Sequence, residues 1–560
     1  MTDAHGALPD LVIPERCELT FDLHPVTGYV HSGLTPLQAR EENFAAVTGA
    51  LDDAGVDWFA VRGFEDLATA VGVHGDDRER VFAALADLCA RRPGYIQGVV
   101  PAPRTPRGPA RGDDPKTWEK LAEAQVVRAV WYRTEPTRSL ICGPRYGCDI
   151  EFWWPEERPD ADADADGDGD GDGGADQALV EALAEAPERL AAPRANRVAR
   201  LIPTESETVE APGNLFTRIA PQAGAALRPV RTRPEFTVPL FDDFDFPVDV
   251  VYTWVDGNDP AWQRRRADAS GEVYHAESAS HSRFTNRDEL RYSLRSLHLN
   301  APWVRTIHLV TDDQVPDWLD TSVPGLKVVS HKEIFSDPSV LPTFNSHAIE
   351  SQLHHIEGLA EHFLYFNDDM FIGRPVGPQL FFLTNGTARY FPARGRVPQG
   401  EVSPLDTPVD VATKNNRRVF QERFGRSITQ VMEHAPYAMR RSVLDDLERE
   451  YPEVFRTTAA NRFRSLSDHN IPSNLVHYYG YLTGRAIPSS NRFAYVALAA
   501  KDLPGRLARL LERRDRDTFC INDTFVEDDD PEGQNELLAS FLEAYFPVAG
   551  PYEKAPVGGA

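Results

Sequence analysis

A run of aspartates alternating first with alanine and then with glycine, Asp160 to Asp176, cuts this chain of 560 residues in two. Such a segment has no apolar area to bury against the entropy of ordering it, so it reads as a solvated, disordered linker. A calcium-binding repeat would need apolar positions among the acidic ones, and these are missing. Whatever folds on either side must therefore build its own core, and at this length two to four domains are expected. A second boundary reads near Arg228 to Pro247, where prolines and acidic residues cluster ahead of a strong strand.

The two sides differ in pattern. Ahead of the tract, Val56 to Arg62, Gln125 to Tyr132 and Leu140 to Trp154 read as strands. Arg78 to Arg91 reads as a helix with Val81, Leu85 and Leu88 at helical spacing. This is a small α+β module without a recognisable catalytic cluster. From Val248 onward, strands and helices alternate: strands at Val248–Val255, Thr306–Val310, Lys327–Ser330 and Phe363–Phe366, and helices at Asp288–His298 and His347–Glu357. Leu290, Leu294 and Leu297 face inward on the first helix, and Ile349, Leu353 and Ile356 on the second. That alternation predicts a mostly parallel, Rossmann-like α/β sheet flanked by helices, with ligand groups at the strands' carboxyl ends.

Charge and cysteines narrow the function classes. The net charge of −27 argues against a nucleic-acid partner, which rewards clustered basic surface. Arginine richness, 52 Arg to 7 Lys, reads as genome composition rather than chemistry. Five cysteines, Cys17, Cys89, Cys142, Cys148 and Cys520, read as reduced buried thiols, with no zinc-type spacing. The N-terminus lacks a basic region followed by an apolar stretch, and no run reaches the roughly 18 apolar residues of a spanning helix. The expected location is cytoplasmic, or peripheral at the inner membrane face.

The sharpest motif is Tyr365-Phe366-Asn367-Asp368-Asp369. Two adjacent carboxylates at the end of a buried strand repel each other unless a cation or a solvent-facing turn relieves them. Hard divalent ions favour one or two carboxylates plus substrate phosphate oxygens. An acidic turn capping a helix is the plainer explanation. Cys520-Ile521-Asn522-Asp523 offers another carboxylate and amide oxygen far along the chain, and alone reads as a helix cap. Arg291 and Arg295, four apart on one helical face, could clamp a phosphate, although a surface paired with Asp288 and Glu289 is the better local reading. Trp254 could stack on a nucleotide base or sit in the core. His434, with Arg462 and Arg464, lies in a polar stretch where a histidine is usually structural.

Together these segments resemble the Stealth family of sugar-1-phosphate transferases, which includes bacterial capsule polymerases and the catalytic subunit of the animal lysosomal-enzyme GlcNAc-1-phosphotransferase. The resemblance rests on Asp249-Val250-Val251-Tyr252-Thr253-Trp254-Val255-Asp256-Gly257, then Arg287-Asp288-Glu289-Leu290-Arg291-Tyr292-Ser293-Leu294-Arg295-Ser296 and Val310-Thr311-Asp312. It continues through Asn367-Asp368-Asp369, His434 to Tyr437 with Arg462-Phe463-Arg464-Ser465 and Asp468, and Ile521-Asn522-Asp523. The match covers about Val248 to Thr524. In the loop Thr311-Asp312-Asp313-Gln314, Asp313 stands where many relatives have glycine, and Asp256 can be Asn in animal members.

The resemblance implies a glycosyltransferase-like fold and the domain order that follows: an accessory module over 1–159, a linker over 160–178, a connecting segment over 179–246, a catalytic domain over 247–530 and a tail over 531–560. It implies attack by an acceptor-glycan hydroxyl on the sugar-bearing phosphorus of a nucleoside-diphosphate sugar, forming a phosphodiester of exopolysaccharide, capsule or cell wall. Mg²⁺ or Mn²⁺ would be held by Asp369, Asn522 and Asp523. His434 or Asp368 would take the acceptor proton, and Arg464, Arg291 or Arg295 would steady the phosphoryl oxygens. Trp254, Asp256, Asp288 and Asp312 would serve the donor. The rivals are a conventional metal-dependent glycosyltransferase and a non-catalytic polysaccharide-binding protein.

Overall fold

The computed structural model describes residues 15–99, 110–156, 188–221, 227–270, 286–522 and 531–555. The linker expected over 160–178 lies outside them. The chain divides into two compact units, one formed by residues 1–217 with 226–240 and the other by 218–225 with 241–560.

In the first unit, Cys148–Pro155 is the central strand, parallel to Thr69–His74 and antiparallel to Val126–Val130. Helices Pro36–Asp53 and Arg78–Arg91 cover the sheet, the second burying Val81, Leu85 and Cys89 as its spacing predicts. Part of the connecting segment expected over 179–246 joins this sheet, among its described residues. Arg189–Ala191 pairs with the end of the central strand, and Val230–Thr232 pairs with Trp58–Ala60. Inside lies an ionic network in which Arg128 and Arg194 share the buried Asp149, and Arg194 also holds buried Glu151. All five cysteines are buried free thiols.

The second unit is α/β, a mostly parallel, Rossmann-like sheet as the alternation predicts. Its strand order is Leu326–Ser330, Ile307–Thr311, Val248–Thr253 and His362–Asn367, all parallel, with Tyr437–Arg440 antiparallel at the edge. These strands are apolar along nearly their whole length because helices cover both faces of a parallel sheet. Helix Glu289–Asn300 lays Leu290, Leu294 and Leu297 on the sheet. The helix expected over His347–Glu357 is shorter: Ser346–Glu350 is α-helical and Leu353–His355 forms a separate tight turn.

A small second sheet decides where the site forms. Met370–Ile372, directly after the paired aspartates, runs antiparallel to Thr518–Asn522, which runs parallel to Phe493–Ala497. Phe371, Phe519 and Phe546 stack there with ring centroids 5.0 to 6.0 Å apart. Of the C-terminal tail expected over 531–560, residues 531–555 are described and pack into this unit. Helix Pro531–Tyr545 buries Leu538, Phe541, Leu542 and Tyr545 in this unit.

Candidate active site

A cavity of about 620 Å³ sits at the carboxyl ends of the parallel strands. Its wall gathers Thr253 and Trp254 from the first of these strands, Asp312 from the second, Asn367, Asp368 and Asp369 from the third, and His434, Arg464 and Asn522 from more distant segments. The carboxyl ends of a doubly wound sheet are where loops diverge and leave room for a ligand.

Asp369 is the centre of the acidic end. Asn522 Nδ2 donates to its Oδ2 at 2.9 Å, and the Cys520 thiol donates to the same oxygen at 3.2 Å. His434 Nε2 lies 3.3 Å from Oδ1, an ion-pair contact. The backbone secures this meeting, because the Ile521 N–H donates to the Asp369 carbonyl at 3.1 Å. Burial alone would push the Asp369 carboxyl up, but His434, Asn522 and Cys520 outweigh it and hold the group below the usual carboxylate range. Asp368 moves the other way. Burial, then the charges of Glu289 and Asp369, push it well above the usual range. Burial likewise raises Glu289, with the Asp369 charge adding to the effect. The two neighbouring carboxyls are thus driven in opposite directions.

This cluster fits a hard divalent ion. Asp369 Oδ1 is a buried oxygen faced by the His434 imidazole, and the charges of Asp368, Glu289 and Asp369 penalise one another, which a cation would reverse. Cys520 converges on the same point with Asp369 and His434, but its soft sulfur suits a hard ion poorly. With no ion bound, burial and then the Asp369 charge push its thiol well up, and it donates a hydrogen bond. Asn522 turns its amide nitrogen to Asp369, while its Oδ1 accepts from the Tyr495 hydroxyl at 3.0 Å. Ligation through that oxygen requires the amide to turn over. Asp523 lies outside the described residues.

Arg464 comes from a loop bolted to the neighbouring segment. Asn345 Nδ2 donates to both oxygens of buried Asp468 at 3.0 and 3.1 Å, and the Phe344 N–H donates to the Arg462 carbonyl at 2.7 Å. Arg464 then holds Ser346 with one terminal nitrogen, while the other, Nη1, is buried without a hydrogen-bond partner. The indole Nε1 of Trp254 is a second buried, unpartnered donor on the same cavity wall. Buried donors left unmade are costly, and an anionic ligand with several oxygens satisfies them.

Other expected residues lie elsewhere. Arg291 and Arg295 are not on the cavity wall. Glu553 takes both, at 2.5 Å from Arg291 Nε and 2.7 Å from Arg295 Nε, and Glu543 takes Arg295 at 3.0 Å. The helical face that looked solvent-directed is covered by the C-terminal segment, so this pair is structural and the phosphate-clamp reading is corrected. Asp256 shapes a turn, its N–H donating to Gln314 Oε1 at 3.0 Å and its carboxylate accepting from the Asn258 N–H. Asp288 accepts from the Trp318 indole at 3.2 Å. Neither lines the cavity. Asp312 does, paired with Arg265 at 3.0 Å. Next to it, Asp313 adopts φ +58°, a left-handed conformation that glycine takes without strain, and is held there by Ser330 and Lys332.

Glu289, Glu350 and His347 were not singled out as site residues from sequence, yet they line the cavity. Glu289 begins a helix at the rim, and Glu350 accepts from the Tyr365 hydroxyl at 3.1 Å, which in turn meets Thr253 Oγ1 at 2.8 Å. The available signal was position, one residue from Asp288 and within Ala348-Ile349-Glu350.

The conserved regions 1 to 4 of the Stealth proteins match residues 246–274, 283–390, 433–481 and 508–557 in turn. An exopolysaccharide phosphotransferase of Streptomyces coelicolor, SCO6021, is 51% identical over 94% of this chain and 92% of its own length. The chain belongs to the Stealth family. It is therefore a transferase, and the matched regions contain every described residue placed in the acidic cluster. A second Streptomyces coelicolor member of that name, SCO6023, is 49% identical over 94% of this chain and 84% of its own. The Mycobacterium tuberculosis exopolysaccharide phosphotransferase CpsY is 33% identical over 94% and 90%. These alignments span both units, so the Stealth relatives share the first unit as well. Among the described residues, no helix is long and apolar enough to cross a membrane.

Proposed function

We propose that this Stealth transferase moves a sugar 1-phosphate from a nucleoside-diphosphate sugar to a hydroxyl of an acceptor glycan, forming a phosphodiester of an extracellular polysaccharide. The observation that carries the reading is that one cavity wall holds both kinds of group. It has an acidic cluster suited to a cation, and Arg464 and Trp254 add unpartnered buried donors. A diphosphate needs both, a metal for its oxygens and rigid donors for the charge that spreads during phosphoryl transfer. The relatives' shared name, exopolysaccharide phosphotransferase, supports the same substrate class.

Asp369, with Asn522 and Asp523, would hold Mg²⁺ or Mn²⁺, which would supply charge neutralisation on the phosphates. The remaining work falls to side chains of this chain. His434, positioned by Asp369 on Nε2 and by the Tyr437 hydroxyl 3.3 Å from Nδ1, takes the acceptor proton. Asp368 is the weaker candidate for that proton, because burial, then the charges of Glu289 and Asp369, push its carboxyl well above the usual range. Arg464 steadies the phosphoryl oxygens, and its loop is too firmly fastened to need reorganisation. Such donors are made in the cytosol, and the reaction is proposed for that compartment.

The test is incubation with a panel of nucleotide sugars and a glycan acceptor, scoring the released nucleotide. Nucleoside monophosphate is expected. Release of the diphosphate instead would make the enzyme an ordinary glycosyltransferase attacking the anomeric carbon, and donor binding without turnover would make it a binding protein.

A further inference from the structure

Behind the cavity, outside its wall, His354, His355 and Glu448 converge. His354 Nε2 lies 2.8 Å and His355 Nε2 2.9 Å from the same oxygen, Oε2 of Glu448, and the three potential ligand atoms all lie within 4.8 Å of one another. The two imidazoles belong to the tight turn Leu353–His355, with ring centroids 4.0 Å apart, and the carboxylate comes from helix Arg441–Glu450.

His355 Nδ1 lies 2.9 Å from the Ile334 carbonyl oxygen and its Nε2 2.9 Å from Glu448, so both ring nitrogens face acceptors. Without a metal the ring meets both as an imidazolium, which its hydrogen bond to Glu448 favours by raising His355. With a cation on Nε2, a neutral ring keeps its proton on Nδ1 for Ile334, and the carboxylate bonds the ion instead. Ring nitrogens of metal-bound histidines are oriented in this way, the far N–H donating to a backbone carbonyl. His354 is buried, whereas the side chains of His355 and Glu448 are 26% and 30% exposed, which leaves an opening to solvent for entry of the ion and for a water ligand.

We propose that His354, His355 and Glu448 bind a zinc ion, distinct from the cation of the acidic cavity. Two imidazoles and one carboxylate suit Zn²⁺, with water completing a tetrahedron. Ligand atoms around zinc, with bonds of about 2.0–2.1 Å, stand about 3.3 Å apart, so the cluster opens by roughly half an ångström on loading. The ion would tie together two segments that build the cavity wall. The histidine turn follows Ser346–Glu350, which carries His347 and Glu350, and the glutamate helix follows strand Tyr437–Arg440, which begins with Tyr437. Its role is to brace the catalytic wall from outside.

The experiment is zinc binding by the full chain, stripped with chelator and reloaded in excess Mg²⁺, with metal content measured by mass spectrometry and Co²⁺ used as a visible-absorption probe. One equivalent of Zn²⁺ per chain is expected, with a rise in melting temperature and the intense d–d absorption of four-coordinate Co²⁺. His355→Ala and the near-isosteric Glu448→Gln should each lose that equivalent and the Co²⁺ band, while Asp369→Asn keeps both. No bound zinc in the reloaded wild type, or zinc retained by both His355→Ala and Glu448→Gln, overturns the proposal. Loss in Asp369→Asn alone assigns the ion to the cavity instead. None of these readouts depends on turnover, so they stand apart from the fate of the transferase reading.

Discussion

At the residue scale, the site rests on a contrast between two adjacent aspartates. His434, Asn522 and Cys520 hold the Asp369 carboxyl below the usual range, and burial, then the acidic neighbours, push Asp368 well above it. Replacing Asp369 with Asn keeps the shape and removes the charge. Turnover should fall by about 10²-fold or more and lose its response to added Mg²⁺, as read from initial rates across a metal titration. His434→Ala should cost a similar factor while leaving donor affinity nearly unchanged. Arg464→Lys keeps a positive charge but not the planar fork, so it should still lower kcat/KM by about 10-fold or more. The chemistry of Asp368–Asp369 and His434 was legible in the sequence as candidates. The opposed shifts of the aspartates were not, because they depend on burial and on remote groups, Glu289 about 80 positions earlier and His434, Asn522 and Cys520 far later in the sequence.

At the scale of elements, helix Glu289–Asn300 shows where sequence reading stops. Its leucines follow from helical spacing, and it runs two residues past the His298 end that the spacing predicts. Its arginines were expected to face a phosphate or a local acid, yet their partner, Glu553, lies more than 250 residues along the chain, beyond any local pattern. Arg295 and Glu553 side chains are each 6% exposed, so Arg295→Ala leaves a buried carboxylate without its main partner. Such a loss costs about 3–5 kcal/mol, measurable as a lower urea midpoint, and catalysis should suffer only through the folded fraction. A second element-level effect concerns pH. Burial lowers His477 to about 3 and His469 to about 4, against 6.5 in the unfolded chain. As pH falls below 6.5 the unfolded state takes up protons that the folded state refuses. Stability should therefore drop on acidification from 6.5 towards 4, by up to about 1.4 kcal/mol per pH unit for each histidine. Thermal melts across that range should show it, and His477→Gln should flatten the slope.

For the molecule as a whole, the alternating strands and helices after Val248 announced the parallel sheet, because every strand had to be apolar throughout to lie between helices. The limits of the units were less readable. Short strands such as Arg189–Ala191 and Val230–Thr232 carry too few residues to show a period, and they join the first sheet only through pairing with distant partners. The acidic cluster has the same character. Strand Met370–Ile372 meets Thr518–Asn522 across a loop of about 145 residues, and only that pairing delivers Cys520 and Asn522 to Asp369. Contacts so remote in sequence form slowly during folding, since a long loop must close before they contribute anything. After dilution from denaturant, helical signal should recover first and transferase activity should lag behind it, in a stopped-flow comparison of circular dichroism with quenched activity assays. An intermediate with the parallel sheet already assembled would thus be catalytically silent, because its reaction centre becomes complete only when that remote strand docks.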